Sequence, residues 1–113
     1  MFVNLRAACE SGWDFSTRWL KDDNDLKSIV CNEILPVDLN CLLVELERNI
    51  ARGYLALNDE NPNNETIAAQ FTSQSNKRVE LIQTYFWNED LNTFVDFNFK
   101  ENVQSRKLSL IHI

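Results

Sequence analysis

The chain has 113 residues with 44% apolar and 25% charged side chains, an ordinary globular balance for one small domain at most. Its formal net charge of -6 makes a nucleic-acid surface or an anionic membrane an unsuitable partner. Only two glycines and two prolines occur, which favours long helices over a turn-rich sheet protein.

Residues 2–10 read as the last turns of a helix. Phe2, Leu5 and Cys9 share one face, and Gly12 stands where a helix C-terminus favours glycine. The start also lacks a basic segment followed by an apolar core, so no signal peptide is read there. Residues 11–35 have no helical period. They carry two tryptophans and the charge cluster Lys21-Asp22-Asp23-Asn24-Asp25, read as a solvated loop.

Residues 38–57 give the clearest helix. Asp38 is the expected N-cap behind Pro36, and Leu39, Leu42, Leu43, Leu46, Ile50, Tyr54 and Leu57 recur at three- and four-residue steps. Glu45, Glu47, Arg48 and Arg52 fall mostly on the opposite face. A polar break with Pro62 precedes a second helix, from about Glu65 to Phe86, with Ile67, Phe71, Val79, Ile82 and Phe86 on its apolar side. Asn88 to Asn92 reads as a turn, Phe94 to Phe99 as a short strand or extended loop, and Val103 to Ile113 shows no pattern. The expected architecture is all-α, mainly an αα-hairpin with a loop ahead of it. Its apolar faces are broader than one hairpin can cover.

Cys9, Cys31 and Cys41 have neither a C-x-x-C nor a zinc spacing, and their odd number argues against a closed disulfide framework. They are read as reduced, partly buried thiols. No metal site and no cofactor are expected. Asn64-Glu65-Thr66 is a glycosylation sequon that matters only in a secreted protein.

The chemically informative run is Glu10-Ser11-Gly12-Trp13-Asp14-Phe15-Ser16-Thr17-Arg18-Trp19. A carboxylate between two aromatic rings loses hydration, which favours its acid form, as a general acid near neutral pH requires. The rings can line a sugar pocket, and the glycine lets the backbone approach a ligand. From the residues alone, a packed aromatic pair with an aspartate cap is the commoner explanation of such a run.

The run closely resembles the E-S-G-W-D-[FY]-S-S-R-W segment of trehalases, with Thr17 where serine is usual. Ile34-Leu35-Pro36-Val37-Asp38-Leu39-Asn40 resembles the family's P-V-D-L-N stretch. Leu81, Ile82 and Trp87, followed by Phe94-Val95-Asp96-Phe97, resemble its later helix and W-[FY]-D-Y-D-type segment. The resemblance spans about residues 5–98; residues 99–113 form a tail outside it, of which Lys107 to Ile113 departs from the family, and His112 there is given no role. The resemblance implies part of an (α/α)6 toroid barrel and the inverting hydrolysis of trehalose to two glucose units. It implies Asp14 as general acid, with Gly12, Trp13 and Phe15 shaping the glucose pocket. Glu10, Ser11, Ser16 and Arg18 are expected to support the loop, and Asp38 and Asn40 to be structural. The family's P-G-G-R-F and Q-W-D-Y-P-N-G-W motifs, its sugar-binding arginines and its late base glutamate are not found in the sequence. The chain alone is therefore expected to be inactive, with the remainder of the barrel absent from it. The alternatives are a non-catalytic trehalase-like fragment with no function of its own, a non-catalytic interaction protein, and an α-glucosidase of a related (α/α)6 family. Trp13 and the Phe15-to-Trp19 stretch favour trehalase over the last.

Overall fold

The computed structural model describes residues 1–14, 16–57 and 61–107. Phe15, the first residues of the polar break at 58–60, and the tail residues 108–113 with His112 lie outside the described residues. The chain divides into two compact units, Pro36–Phe94 and a second made of Met1–Leu35 with Val95–Ile113.

The first unit is the expected helical hairpin. Helix α2 spans Val37–Ala56 and helix α3 spans Asn63–Tyr85. They run antiparallel: Arg78 on α3 meets Asn40 and Glu47 on α2, while Leu55 near the end of α2 shares a groove with Glu65 and Ala68 at the start of α3. The buried residues of α2 are Val44, Glu47 and Ala51; those of α3 are Asn64, Ala68, Ser75 and Ile82. Alanine and serine at the seam let the two backbones approach closely.

Two sequence expectations are corrected here. Glu47, placed on the outer face by its spacing, is 8% exposed. It accepts hydrogen bonds from Arg78 Nε and Nη2 at 3.1 and 2.8 Å, and Asn40 Oδ1 accepts from Arg78 Nη1 at 3.1 Å. Leu39, Leu42 and Leu46 meanwhile remain exposed. The apolar arc of α2 is wider than one neighbour covers, so the seam runs along one edge of the arc, where Leu43, Ile50 and Tyr54 turn half inward. Second, α2 begins one residue before the expected N-cap. Pro36 takes the cap position, and Asp38 lies in the first turn, where its negative charge suits the helix dipole. Asn40 is structural as expected, since its Nδ2 also donates to Pro36 O at 2.8 Å. Asn64 of the sequon is buried in the first turn of α3.

Beyond α3, β2 (Trp87–Asn88) pairs antiparallel with β3 (Thr93–Phe94), and the Trp87 and Phe94 rings meet edge to face at 4.9 Å. The turn between them is the one expected from Asn88 to Asn92; Asn92 takes a positive φ of 49°.

The second unit begins with α1 (Phe2–Ser11), which ends at Gly12 in the left-handed conformation, φ 78°. A Cβ on Gly12 would meet nothing within 4 Å, so the positive φ alone favours glycine. The buried face of α1 is Ala8 with half-buried Leu5, whereas Cys9 and Phe2 are exposed. The inward face therefore lies one residue away from the expected one on the Cys9 side. Residues 11–35 are mainly irregular, as expected, broken by three short 3-10 turns at Thr17–Trp19, Leu26–Ser28 and Cys31–Glu33. Ala8, Trp19, Leu20 and Ile29 form the core, with Trp13, Cys31 and Ile34 packed against it.

A small antiparallel sheet closes this unit. β1 (Ile34–Leu35) pairs with β4 (Phe97–Asn98), which pairs with β5 (Val103–Gln104). Glu33 sits beside it. Burial pushes its carboxyl up, but hydrogen bonds from Asn98 and Lys100, with the charges of Lys100 and Lys21, outweigh that and hold it below the ordinary range. The charge cluster is a solvated loop in which Asp22 and Asp25 cap turns through the Asn24 and Lys27 amides. The cysteines are free thiols, but only Cys31 is partly buried as expected; Cys9 and Cys41 are exposed, and burial pushes the Cys31 thiol up.

Candidate active site

Asp14 lies in the tight turn Trp13–Ser16, closed by Ser16 N donating to Trp13 O at 3.1 Å. The same carbonyl accepts a second bond from Trp19 Nε1 at 2.7 Å. On the other side of the peptide, Trp13 N donates to Ser11 Oγ at 3.1 Å, and Ser11 Oγ donates to Ala8 O at 2.6 Å. The turn is thus tied back to the last turn of α1. It is tied forward as well, because Ser16 Oγ accepts from Arg18 N at 3.2 Å. A short stretch of local bonds therefore fixes where Asp14 is presented.

Behind the turn lies a charged group that sequence spacing did not reveal. Arg18 is 3% exposed and Asp96 6%. Arg18 Nε and Nη2 donate to the two carboxylate oxygens of Asp96 at 2.6 and 2.8 Å, a bidentate fork. The guanidinium carbon lies 4.9 Å from the Trp19 ring centroid and 5.8 Å from that of Trp13. Such cation–π packing adds attraction once the cation is out of water. Asp96 is anchored in turn, its carbonyl accepting from Ser105 N at 2.8 Å.

Asp14 itself is half-buried. Among the described residues of this unit it is the one side-chain carboxylate with neither an ion pair nor a hydrogen bond. Glu10 pairs with Arg6, Glu33 with Lys100, Glu101 with Lys21, Asp23 with Lys107 and Asp96 with Arg18, while Asp22 and Asp25 cap turns. The turn therefore offers one free carboxyl beside an indole. Ser11, Ser16 and Arg18 make loop-supporting contacts; Glu10 makes an exposed i, i+4 pair on α1, an interaction of little energetic weight.

The described residues are mainly helical, and the Asp14 turn presents an unengaged carboxyl beside the Trp13 indole. A sequence model of the trehalase family matches residues 1–112. The periplasmic trehalase of Citrobacter koseri is 36% identical over 109 residues, covering 96% of this chain and 18% of that protein. The periplasmic trehalase of Salmonella newport is 36% identical over 102 residues, covering 90% of this chain and 17% of its own length. The chain belongs to the trehalase family, and it spans under a fifth of the length of these curated relatives.

Proposed function

We propose that this segment supplies the general acid to a trehalase active site, and that Asp14 is that acid. The observation that carries the reading is the free Asp14 carboxyl, held in a doubly bonded turn within the E-S-G-W-D-F run. Asp14 protonates the oxygen that bridges the two glucose units as the bond to the anomeric carbon breaks. A second carboxylate, supplied by another part of a complete catalytic domain, removes a proton from the attacking water on the opposite face. The two groups must stand roughly 6.5–9.5 Å apart to admit that water. The other described acids of the Asp14 unit are already engaged, which supports a base from elsewhere. Gly12, Trp13 and Phe15 shape the glucose pocket around the acid.

Inversion has a direct signature. Trehalose carries two α-linked anomeric carbons, and attack at one of them releases a β-glucose while the other leaves as α-glucose. Proton NMR of a complete trehalase carrying this segment is expected to show the two anomers forming in equal amounts before mutarotation. Formation of α-glucose alone in the first turnovers would contradict the inverting mechanism.

A further inference from the structure

We infer that the Arg18–Asp96 ion pair, together with the Trp19 indole, is a positioning device for Asp14: a clamp that sets where the acid's proton is delivered, without touching substrate itself. The inference rests on the reading of Asp14 as the general acid.

Placing these charges inside the protein has no evident stability rationale. Burying two charges carries a desolvation penalty of several kcal/mol per ion in real proteins, and apolar residues of similar volume serve stability as well or better. A pair retained in such a place needs a geometric reason. Here the geometry is specific. The Asp96 carboxylate takes both Nε and Nη2, which fixes the plane and rotation of the guanidinium. The guanidinium carbon lies 4.9 Å from the Trp19 ring centroid and 5.8 Å from that of Trp13. Trp19, itself 1% exposed, then sends its Nε1–H to Trp13 O at 2.7 Å. Trp13 is the residue immediately before Asp14, so ring and carbonyl of that residue are both held by the same group.

The chain of contacts joins distant parts of the sequence. Arg18 and Asp96 are 78 positions apart. The segment bearing Asp96 is fixed by Ser105 N on its carbonyl and by the neighbouring β4 pairings. The acid's turn is thereby referenced to the small sheet rather than left to the loop. A general acid works only within hydrogen-bond reach of the atom it protonates, about 2.6–3.2 Å. A misplacement of roughly 1 Å costs on the order of 10²-fold in rate. A clamp that prevents such drift acts on the chemical step and leaves substrate binding largely alone. Substrate contact by Arg18 is disfavoured, because Asp96 already takes two of its donor nitrogens and indoles flank the guanidinium.

The test separates proton delivery from folding by changing the leaving group. Glucose leaving from trehalose needs a proton. Fluoride leaving from α-D-glucosyl fluoride departs as a stable anion and needs little acid assistance, while the same base, water and pocket are used. In a complete trehalase carrying this segment, Arg18→Lys and Asp96→Asn are expected to lower kcat on trehalose by about 10²-fold. KM should stay within a small factor, and hydrolysis of the fluoride should be nearly unchanged. Trp19→Phe, which keeps an aromatic ring beside the guanidinium but removes the bond to Trp13 O along with part of the buried indole, is expected to show the same split more weakly. It also reads the clamp should the charge variants fail to fold. Equal losses on both substrates, or no loss on trehalose, would overturn the clamp. Asp14→Asn is run alongside. If it shows the split and the clamp variants do not, the clamp alone is wrong. If Asp14→Asn lowers both substrates equally, the acid assignment falls and the clamp with it.

Discussion

Asp14→Asn in a complete trehalase carrying this segment is expected to lower kcat on trehalose by about 10²–10⁴-fold, the range that positioned acid catalysis contributes. The amide fills the same volume and fits the same turn, whose hydrogen bonds come from the backbone and from Ser11, Ser16 and Trp19 rather than from the Asp14 side chain. Substrate binding and the stability of the protein should therefore change little. What is lost is a proton: the carboxamide cannot pass one to the bridging oxygen, so the leaving glucose must depart as an alkoxide. Steady-state kinetics with a glucose-coupled assay, beside an equilibrium binding measurement, check both halves. A kcat near that of the parent would remove Asp14 from the acid's role.

The second large effect falls on stability. Arg18→Ala or Asp96→Ala leaves the surviving charge buried without its partner, and breaking a buried pair in that way costs about 3–5 kcal/mol. Against a total folding stability of about 5–15 kcal/mol, that is a large fraction. Chemical denaturation of the complete protein should show the loss for both single variants. The double change Arg18→Met with Asp96→Leu removes both charges and should recover much of the stability. It should not recover the rate on trehalose, because the fork and the guanidinium plane behind Trp13 are gone. Recovery of both together would mean that the pair serves folding alone. The exposed pair of Arg48 with Glu45 provides the contrast: its removal is expected to cost about 0–1 kcal/mol.

Periodicity made the helical hairpin legible. The three- and four-residue recurrence from Leu39 to Leu57 marks α2, and Ile67 to Phe86 marks α3. The pattern does not say which edge of a broad apolar arc meets the neighbour, so its spacing puts Glu47 outward although it lies at the seam. Gly12 announced the end of α1 because a positive φ is what glycine supplies there. Asp14 was legible only through the family's motif, since an aspartate between aromatics also describes an ordinary packed turn.

The Arg18–Asp96 pair lay beyond the sequence reading because no period links positions 18 and 96. A signal for each half was nonetheless present. Asp96 interrupts the apolar run Phe94-Val95-Phe97, and Arg18 adjoins Trp19; a charge embedded in apolar neighbours needs a buried partner. The short strands from Ile34 to Gln104 are two residues each, too short to show alternation.

In the proposed role this segment holds the acid, and the base comes from another part of a complete domain. The most direct measurement is glucose release from trehalose by the purified 113-residue chain, beside a complete trehalase. Asp14 is the one unengaged acid among the described residues of its unit, and the base is proposed to come from another part of a complete domain, so no glucose above background is expected. Exposed Leu39, Leu42 and Leu46 are expected to make the isolated chain associate. Glucose release that Asp14→Asn abolishes would contradict the account, because the chain would then supply both carboxylates itself.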